Sequence, residues 1–387
     1  MPPKADFDGT VRQAVLDRLL LDRLNVLQTL DALRRDFLVN LSEGFVYDCL
    51  RWQLSRLDLG AHRQHVLQRF SGTLCVDELH LGRYTLLLAT DPLADLPVGF
   101  ALVGANDEDH MRRFLQNLAN WGLRPEVVVT DGSALYPELL AQIWKDARHQ
   151  LCVFHVLRDI LNQVLDGVRR LRRSQERRGR AGRKRRRGRP RRRQQARRQR
   201  VGPSNREKAK FIGRHRFLIV KRSERLSRQE WDDLIQMFQY LPELRPLWYF
   251  SQDIYRLLDD SKTLQVARWR FTLLQKDPKY QGVWELVEAL DVLAEPKLTR
   301  VMAFVQTAQR KRQRTNNHVE RMNRRLRFAE KVRYRWRKRR WVVRWVVLLL
   351  DVCWKEAAQA TAASPPKRSQ AERSLPQQRP KPKNKAA

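Results

Sequence analysis

Cysteine is scarce in this chain. Four occur in 387 residues (Cys49, Cys75, Cys152 and Cys353), and no two form a C-x-x-C pair. That argues against a zinc ribbon or a disulfide framework and suits a reducing, cytosolic setting. Long apolar runs are missing too. The best, "WVVRWVVLLLDVCW" from Trp341 to Trp354, falls short of the roughly 20 residues a span needs. Arg344 and Asp351 also interrupt it, so it reads as a core helix. No N-terminal signal sequence is read. Acids are few beside the bases: 42 Asp+Glu face 78 Lys+Arg, a net charge of +36. Such a balance says nothing about fold. It calls for a polyanionic partner, and nucleic acid is favoured over an anionic membrane surface.

What is present divides by pattern. Residues 1–71 form a short helical N-terminal region, with apolar positions at three- and four-residue steps and Ser42 placed as an N-cap. This region is either a DNA reader of helix-turn-helix style or a packing element. From 72 to 168 the pattern predicts strands "TLCVDELHLG", "RYTLLLATD" and "LPVGFALVG" in an antiparallel meander. Helix, strand, helix, strand and helix follow, with "EVVVTDGS" and "RHQLCVFHV" as the later strands. The order βββαβαβα indicates an α/β fold with helices over a mixed sheet. Residues 169–206 are arginine-rich, with nineteen Lys+Arg against one Glu up to Arg200. A segment so poor in apolar residues is expected to be disordered and phosphate-seeking. An all-α region is predicted at 207–309, with Trp231, Trp248, Trp269 and Trp284 as core anchors. Residues 310–358 return to a basic helix, and 359–387 read as a disordered basic tail.

Three acids stand out by position. Asp77 lies inside the first strand, Asp131 ends the run of valines before a Gly-Ser turn, and Glu320 sits in "RTNNHVERMNRRLR". An ionised carboxylate in an apolar strand is costly without a cation, and two side by side repel until a proton or divalent metal intervenes. Mg²⁺ or Mn²⁺ suits an all-oxygen set, and two ions about 4 Å apart would drive in-line phosphoryl displacement. Glu78, adjacent to Asp77, is expected on the opposite sheet face. Asp91 ends a strand-like run before a proline and reads as a turn residue. Cys152 and His155 make a C-x-x-H that is half a zinc site at best. His155 is expected near the site, ordering an acid or a phosphate. On a helix, Asn316, Glu320 and Arg324 share one face, with Asn317 and Asn323 close by.

The motifs "VDELH", "VVTDGS", "CVFH" and "TNNHVERMNRRLR", in this order, resemble those of DDE-type insertion-sequence transposases with a ribonuclease-H-like core. The gap of 189 residues between Asp131 and Glu320 resembles the branch with an all-α insertion, which includes the Mutator-like and related bacterial groups. The resemblance implies a core of 72–168 and 310–358 interrupted by the insertion. It implies Asp77, Asp131 and Glu320 as catalytic metal ligands for two Mg²⁺ or Mn²⁺ ions. It also implies double-stranded DNA, both element ends and target, as partner of a homo-oligomer, with a cytoplasmic, nucleoid-associated location. Cys152, His155, Asn316, Asn317 and Arg324 would position the substrate. Arg321, Arg325, Arg327, Lys331, Arg333 and Arg335 would contact DNA, as would Arg185, Arg186 and Arg187. Tyr334 or Trp336 would offer a stacking surface. Other readings are an inactive or domesticated DNA-binding descendant, and a nuclease or resolvase without strand transfer.

Overall fold

The computed structural model describes residues 9–181, 202–308, 312–332 and 338–363. They form two compact units. One comprises the described residues up to Leu57 with those from Arg340, and the other runs from Asp58 to Arg339.

The smaller unit holds α1 (Gly9–Leu20), α2 (Val26–Phe37) and α3 (Glu43–Ser55), with the last helix of the chain, Arg339–Ala363. Asn25 and Gln28 close a reciprocal capping box at α2, and Ser42 starts α3 by accepting the N–H of Phe45. The last helix carries the apolar run noted above, with Val342, Trp345, Val346 and Leu348 buried. Its Trp341 ring stands 5.0 Å from Tyr47 of α3. The expected spans 1–71 and 310–358 are therefore each divided, at Leu57 and Arg340. No described helix is long and apolar enough to cross a membrane.

The larger unit begins with α4 (Leu59–Arg69) and then builds the sheet. The strands are β1 (Thr73–Leu81), β2 (Tyr84–Asp91), β3 (Leu96–Val103), β4 (Val127–Thr130) and β5 (Arg148–Leu151). Helices α5 (Glu108–Asn120) and α6 (Tyr136–Ile143) fall between β3 and β5, and α7 (Val153–Ala181) follows β5. The sheet order is β3-β2-β1-β4-β5, antiparallel through the first three strands and parallel from β1 to β4 to β5. Val66, Leu74, Val76, Leu87, Met111, Leu115 and Tyr136 share one core between the sheet and its helices. This is the expected mixed sheet of ribonuclease-H-like type, and the order of elements is the one the sequence predicts.

An all-α insertion separates this sheet from its last helix. It runs through α8 (Asn205–His215), α9 (Arg228–Tyr240), α10 (Arg245–Asp260), α11 (Leu264–Lys276), α12 (Pro278–Gln281), α13 (Trp284–Val292) and α14 (Lys297–Val301). The chain then re-enters as α15 (Asn317–Val332), and the last helix is α16. The buried face of α7 (Val156, Ile160, Val164, Val168) belongs to the core of the insertion, with Ile212, Leu234, Leu247 and Phe250. Helix α7 thus continues to Ala181, into the segment expected to lack structure from 169. Packing explains the difference: Leu171 lies against the insertion core, and buried Gln175 reaches Asn205 at the start of α8. Residues 182–201 lie outside the described ones.

Two of the four tryptophans behave as expected. Trp231 and Trp248 pack edge-on, 5.7 Å apart, against the insertion core. Trp269 and Trp284 are instead 61% and 54% exposed. On α11 the inward positions are Ala267, Phe271 and Leu274, which turn Trp269 to the outer face.

Helix α7 is clamped to α13 by a two-pronged ion pair. Arg170 Nε and Nη2 donate to the carboxylate of Glu285, at 2.5 and 3.0 Å. Glu285 is fully buried, whereas Arg170 is half-exposed. Gly167 of α7 lets α10 pack close beside this pair, since a Cβ there would stand 2.9 Å from Leu247. Removing one partner leaves a buried charge unpaired. Arg170→Ala should therefore destabilise the protein by about 2–3 kcal/mol in urea unfolding, and Arg170→Met with Glu285→Leu should recover most of that. A single variant as stable as the wild type would show that the pair carries no such load.

Candidate active site

The placement of the first two acids follows from strand length. β1 pairs with β4 only from Thr73 to Cys75, opposite Val127 to Val129. Beyond Cys75 the β4-side edge of β1 runs on alone. Asn316 occupies that edge, donating from Nδ2 to the carbonyl of Val76 at 3.0 Å. Asp77 and Glu78 follow on the unpaired stretch. β4 stops at Thr130, so Asp131 emerges at its carboxyl end, in a turn where Oδ1 accepts the N–H of Ser133 at 2.9 Å.

The consequence is a cluster of three carboxylates. Asp77, Glu78 and Asp131 bring one oxygen each within 4.8 Å of one another. Glu78 therefore does not turn away from the site, as strand alternation suggested. The buried hydroxyl of Tyr136 donates to Glu78 Oε1 at 2.8 Å and fixes the longer side chain toward the cluster. Neither Glu78 nor Tyr136 was legible as a site residue. The only signals were the D-E doublet at a strand end and a tyrosine just after "DGSAL".

These carboxylates are strained electrostatically. Burial, followed by the charge of Glu78, pushes the Asp77 carboxyl up to about 7. Burial also raises Glu78, against the lowering effect of the Tyr136 hydroxyl. Asn323 of α15 opposes the rise at Asp77 by donating from Nδ2 to Oδ2 at 2.8 Å.

Glu320 lies in the first turn of α15, the helix that crosses β1. Its oxygen forms a second cluster with Cys152 Sγ and a His155 ring nitrogen, again within 4.8 Å. Neither nearby nitrogen is at hydrogen-bond distance: His155 Nε2 stands 3.8 Å from Oε1, and Arg324 Nη2 stands 3.9 Å from Oε2. Cys152, whose thiol burial pushes up, accepts the N–H of Asn316 at 3.3 Å. The two clusters are bridged by α15 itself, since Asn316 touches β1 and Cys152 while Asn323 touches Asp77.

The other expected site residues divide by exposure. Asn316 and Asn323 are buried against the sheet, whereas Asn317, Arg321, Arg324, Arg325, Arg327 and Lys331 line the outer face of α15. Arg333, Arg335, Tyr334 and Trp336 lie outside the described residues, as do Arg185, Arg186 and Arg187. Asp91 is the turn residue expected: fully buried, it accepts from Ser71 N–H, Ser71 Oγ, Leu93 N–H and Ala94 N–H. His318, between the two asparagines, is also structural. Its ring nitrogens lie 2.9 Å from Thr90 Oγ1 and 2.7 Å from Asp95 Oδ1, anchoring α15 on the end of β2.

The residues fit a divalent cation. Three converging carboxylates form an oxygen donor set of the kind that Mg²⁺ or Mn²⁺ accepts. Two further buried oxygens, Glu320 Oε1 and Asn323 Oδ1, have no hydrogen-bond partner among the described residues. Such atoms ask for a ligand.

A family model for transposases, of the DDE type named for ISL3, matches residues 74–338. The chain belongs to this transposase family. No curated protein matches it. The matched span contains the sheet, the insertion and α15, and with them all three acids. Membership makes this transposase a protein that acts on DNA, in keeping with its net charge of +36.

The raised Asp77 carboxyl has a sign that can be checked. A folded-state value of about 7 against an ordinary 3.8 means that the fold prefers the protonated acid. Its contribution is intact below the unfolded value and is lost as pH rises through the folded one. With chelator present, Asp77→Asn should be more stable than the wild type by about 1–3 kcal/mol at pH 8. The difference should shrink toward pH 5. Equal melting temperatures at pH 8 would remove the argument.

Proposed function

We propose that this transposase cleaves and joins DNA strands with Asp77, Asp131 and Glu320 as the ligands of two Mg²⁺ or Mn²⁺ ions. The observation that carries the reading is the convergence of Asp77, Glu78 and Asp131, packed against by the helix α15 that bears Glu320, whose buried Oε1 has no hydrogen-bond partner among the described residues. When bound, the cations would supply activation of the attacking water or 3′-hydroxyl and stabilisation of the leaving oxygen.

The chain's own residues would do the positioning. Asn323 holds Asp77 by its outer oxygen, so that the other faces the cluster. Tyr136 does the same for Glu78, which would serve as an additional carboxylate or as a proton acceptor beside the ions. Asn316 tethers the start of α15 to β1 and to Cys152, which fixes where Glu320 begins its approach. His155, 3.8 Å from Glu320, would orient that acid or meet the scissile phosphate. The exposed arginines of α15 (Arg321, Arg324, Arg325 and Arg327) would hold the DNA backbone, with Asn317 beside them at the helix start. Lys331 would extend the same track. Strand transfer would follow hydrolysis when the freed 3′-hydroxyl replaces water as nucleophile, with assembly into a homo-oligomer bringing two element ends together.

Asp131→Ala and Glu320→Gln should each abolish Mg²⁺-dependent nicking of supercoiled plasmid carrying element ends while DNA binding persists. Cleavage at the wild-type rate in either variant would refute the assignment. A wild-type protein that shifts DNA without nicking it would favour a non-catalytic descendant. Millimolar Mg²⁺ should also raise the melting temperature of the wild type more at pH 8 than at pH 6, since the cation competes with the proton on Asp77. An equal rise at both values would count against a carboxylate site.

A further inference from the structure

Away from the acids, α7 and α13 enclose a cleft of about 510 Å³, lined by Asp166, Arg169, Arg170, Arg173, Arg177 and Trp284. The arginines are not equivalent. Arg170 is committed to Glu285, and Arg169 donates to Asp166. Arg173 and Arg177, one turn apart on α7, are exposed and have no ion-pair or hydrogen-bond partner among the described residues. Trp284 opens α13 with its indole 54% exposed, and it makes no ring contact with another described residue.

A half-exposed indole set among guanidiniums offers a flat apolar face beside positive charge. Among the described residues, the charged groups that line the cleft with it are four guanidiniums and the acid Asp166, which is paired with Arg169. Phosphates suit the guanidiniums, and the flat face of a base suits the indole. A duplex offers phosphates but keeps its base faces stacked. An unpaired strand offers both.

We propose that Arg173, Arg177 and Trp284 form a site for an unpaired stretch of DNA strand, with phosphates on the two arginines and one base stacked on the indole. Strand cleavage frees a strand end, which can then part from its complement and supply such a stretch. The proposal takes its partner from the DNA-cleaving reading and assigns it a place on the insertion, remote in sequence from the three acids.

The test uses the full chain and fluorescence anisotropy with a labelled single-stranded oligonucleotide and the same sequence as a duplex. Trp284→Ala should weaken single-strand binding roughly 5- to 50-fold, with duplex affinity changed less than about twofold, because stacking on an unpaired base is what is lost. Trp284→Phe should keep most of the affinity. Arg173→Ala with Arg177→Ala should lower the slope of log K against log salt for the single strand by about 1.4, for two phosphates released. All these residues are exposed, so melting temperatures should be unchanged. Unaltered single-strand affinity in Trp284→Ala would overturn the proposal, as would equal losses on single strand and duplex. An acidic peptide that displaced the oligonucleotide at equal charge concentration would do the same. Plasmid nicking by the wild type, and its loss in Asp131→Ala, report on the DNA-cleaving reading separately.

Discussion

Everything at the centre of this molecule depends on holding carboxylates together where they are half-buried and water screens them poorly. Asp77 and Glu78 project from a strand that has outrun its parallel neighbour, and Asp131 leaves that neighbour where it stops. The three would separate if their backbones were free. They are fixed by a sheet whose strands are almost wholly buried, by the Asn323 amide on one acid and by the Tyr136 hydroxyl on another. Neutral donors relieve repulsion without cancelling charge, and a cluster so held stays receptive to a cation. Lysine or arginine in the same places would stabilise the fold and fill the site.

The long insertion creates a second requirement: the chain must come back to the sheet in register after a long excursion. Four hydrogen bonds do this at the junction of β5 and α7. Buried Gln150 donates to the carbonyl of Val301 and accepts the N–H of Phe304, tying β5 to the end of the insertion. Val153 N–H donates to the carbonyl of Arg314, and Asn316 N–H donates to Cys152 Sγ. Arg314 itself spans back to Leu258 O and Asp259 of α10 while lying 4.5 Å over the Phe304 ring. The return path is thus pinned at both ends before α15 begins. Cys152 takes part in this clasp as well as in the group with His155 and Glu320, which joins the C-x-x-H motif to fold and site together.

Much of this was legible beforehand. The alternation and breaks of residues 73–103 mark a meander, and runs of valine ended by an acid mark the parallel strands. Those signals are local. What escaped depends on distances between elements. Glu78 reads as pointing away because alternation gives the direction of a Cβ and not where a long side chain ends, and only the Tyr136 hydroxyl, 58 residues on, holds its carboxylate at the cluster. Trp269 and Trp284 read as core because size and hydrophobicity do not reveal which face of a helix is covered. The start of the arginine-rich segment reads as unstructured by composition, yet Val168, Leu171 and Gln175 give α7 a face to bury. Apolar residues every third or fourth place are sparse there, and the insertion core supplies the other half of the contact.

The acid in the first turn of the basic helix α15, Glu320, brings these strands of argument together. Were Glu320 a salt-bridge partner, its oxygens would be expected near 2.8 Å from a guanidinium. The His155 ring and the Arg324 guanidinium stand at 3.8 and 3.9 Å, beyond hydrogen-bond reach, and Arg324 is 80% exposed, where screening leaves such a pair little strength. The first turn of α15 favours a negative charge through the helix dipole, but by well under what burial of an oxygen without a partner costs. Local interactions therefore do not account for a carboxylate here. A ligand that the protein meets only in function would, as we propose, and the exposed Arg321, Arg324 and Arg327 are placed to meet phosphates beside it.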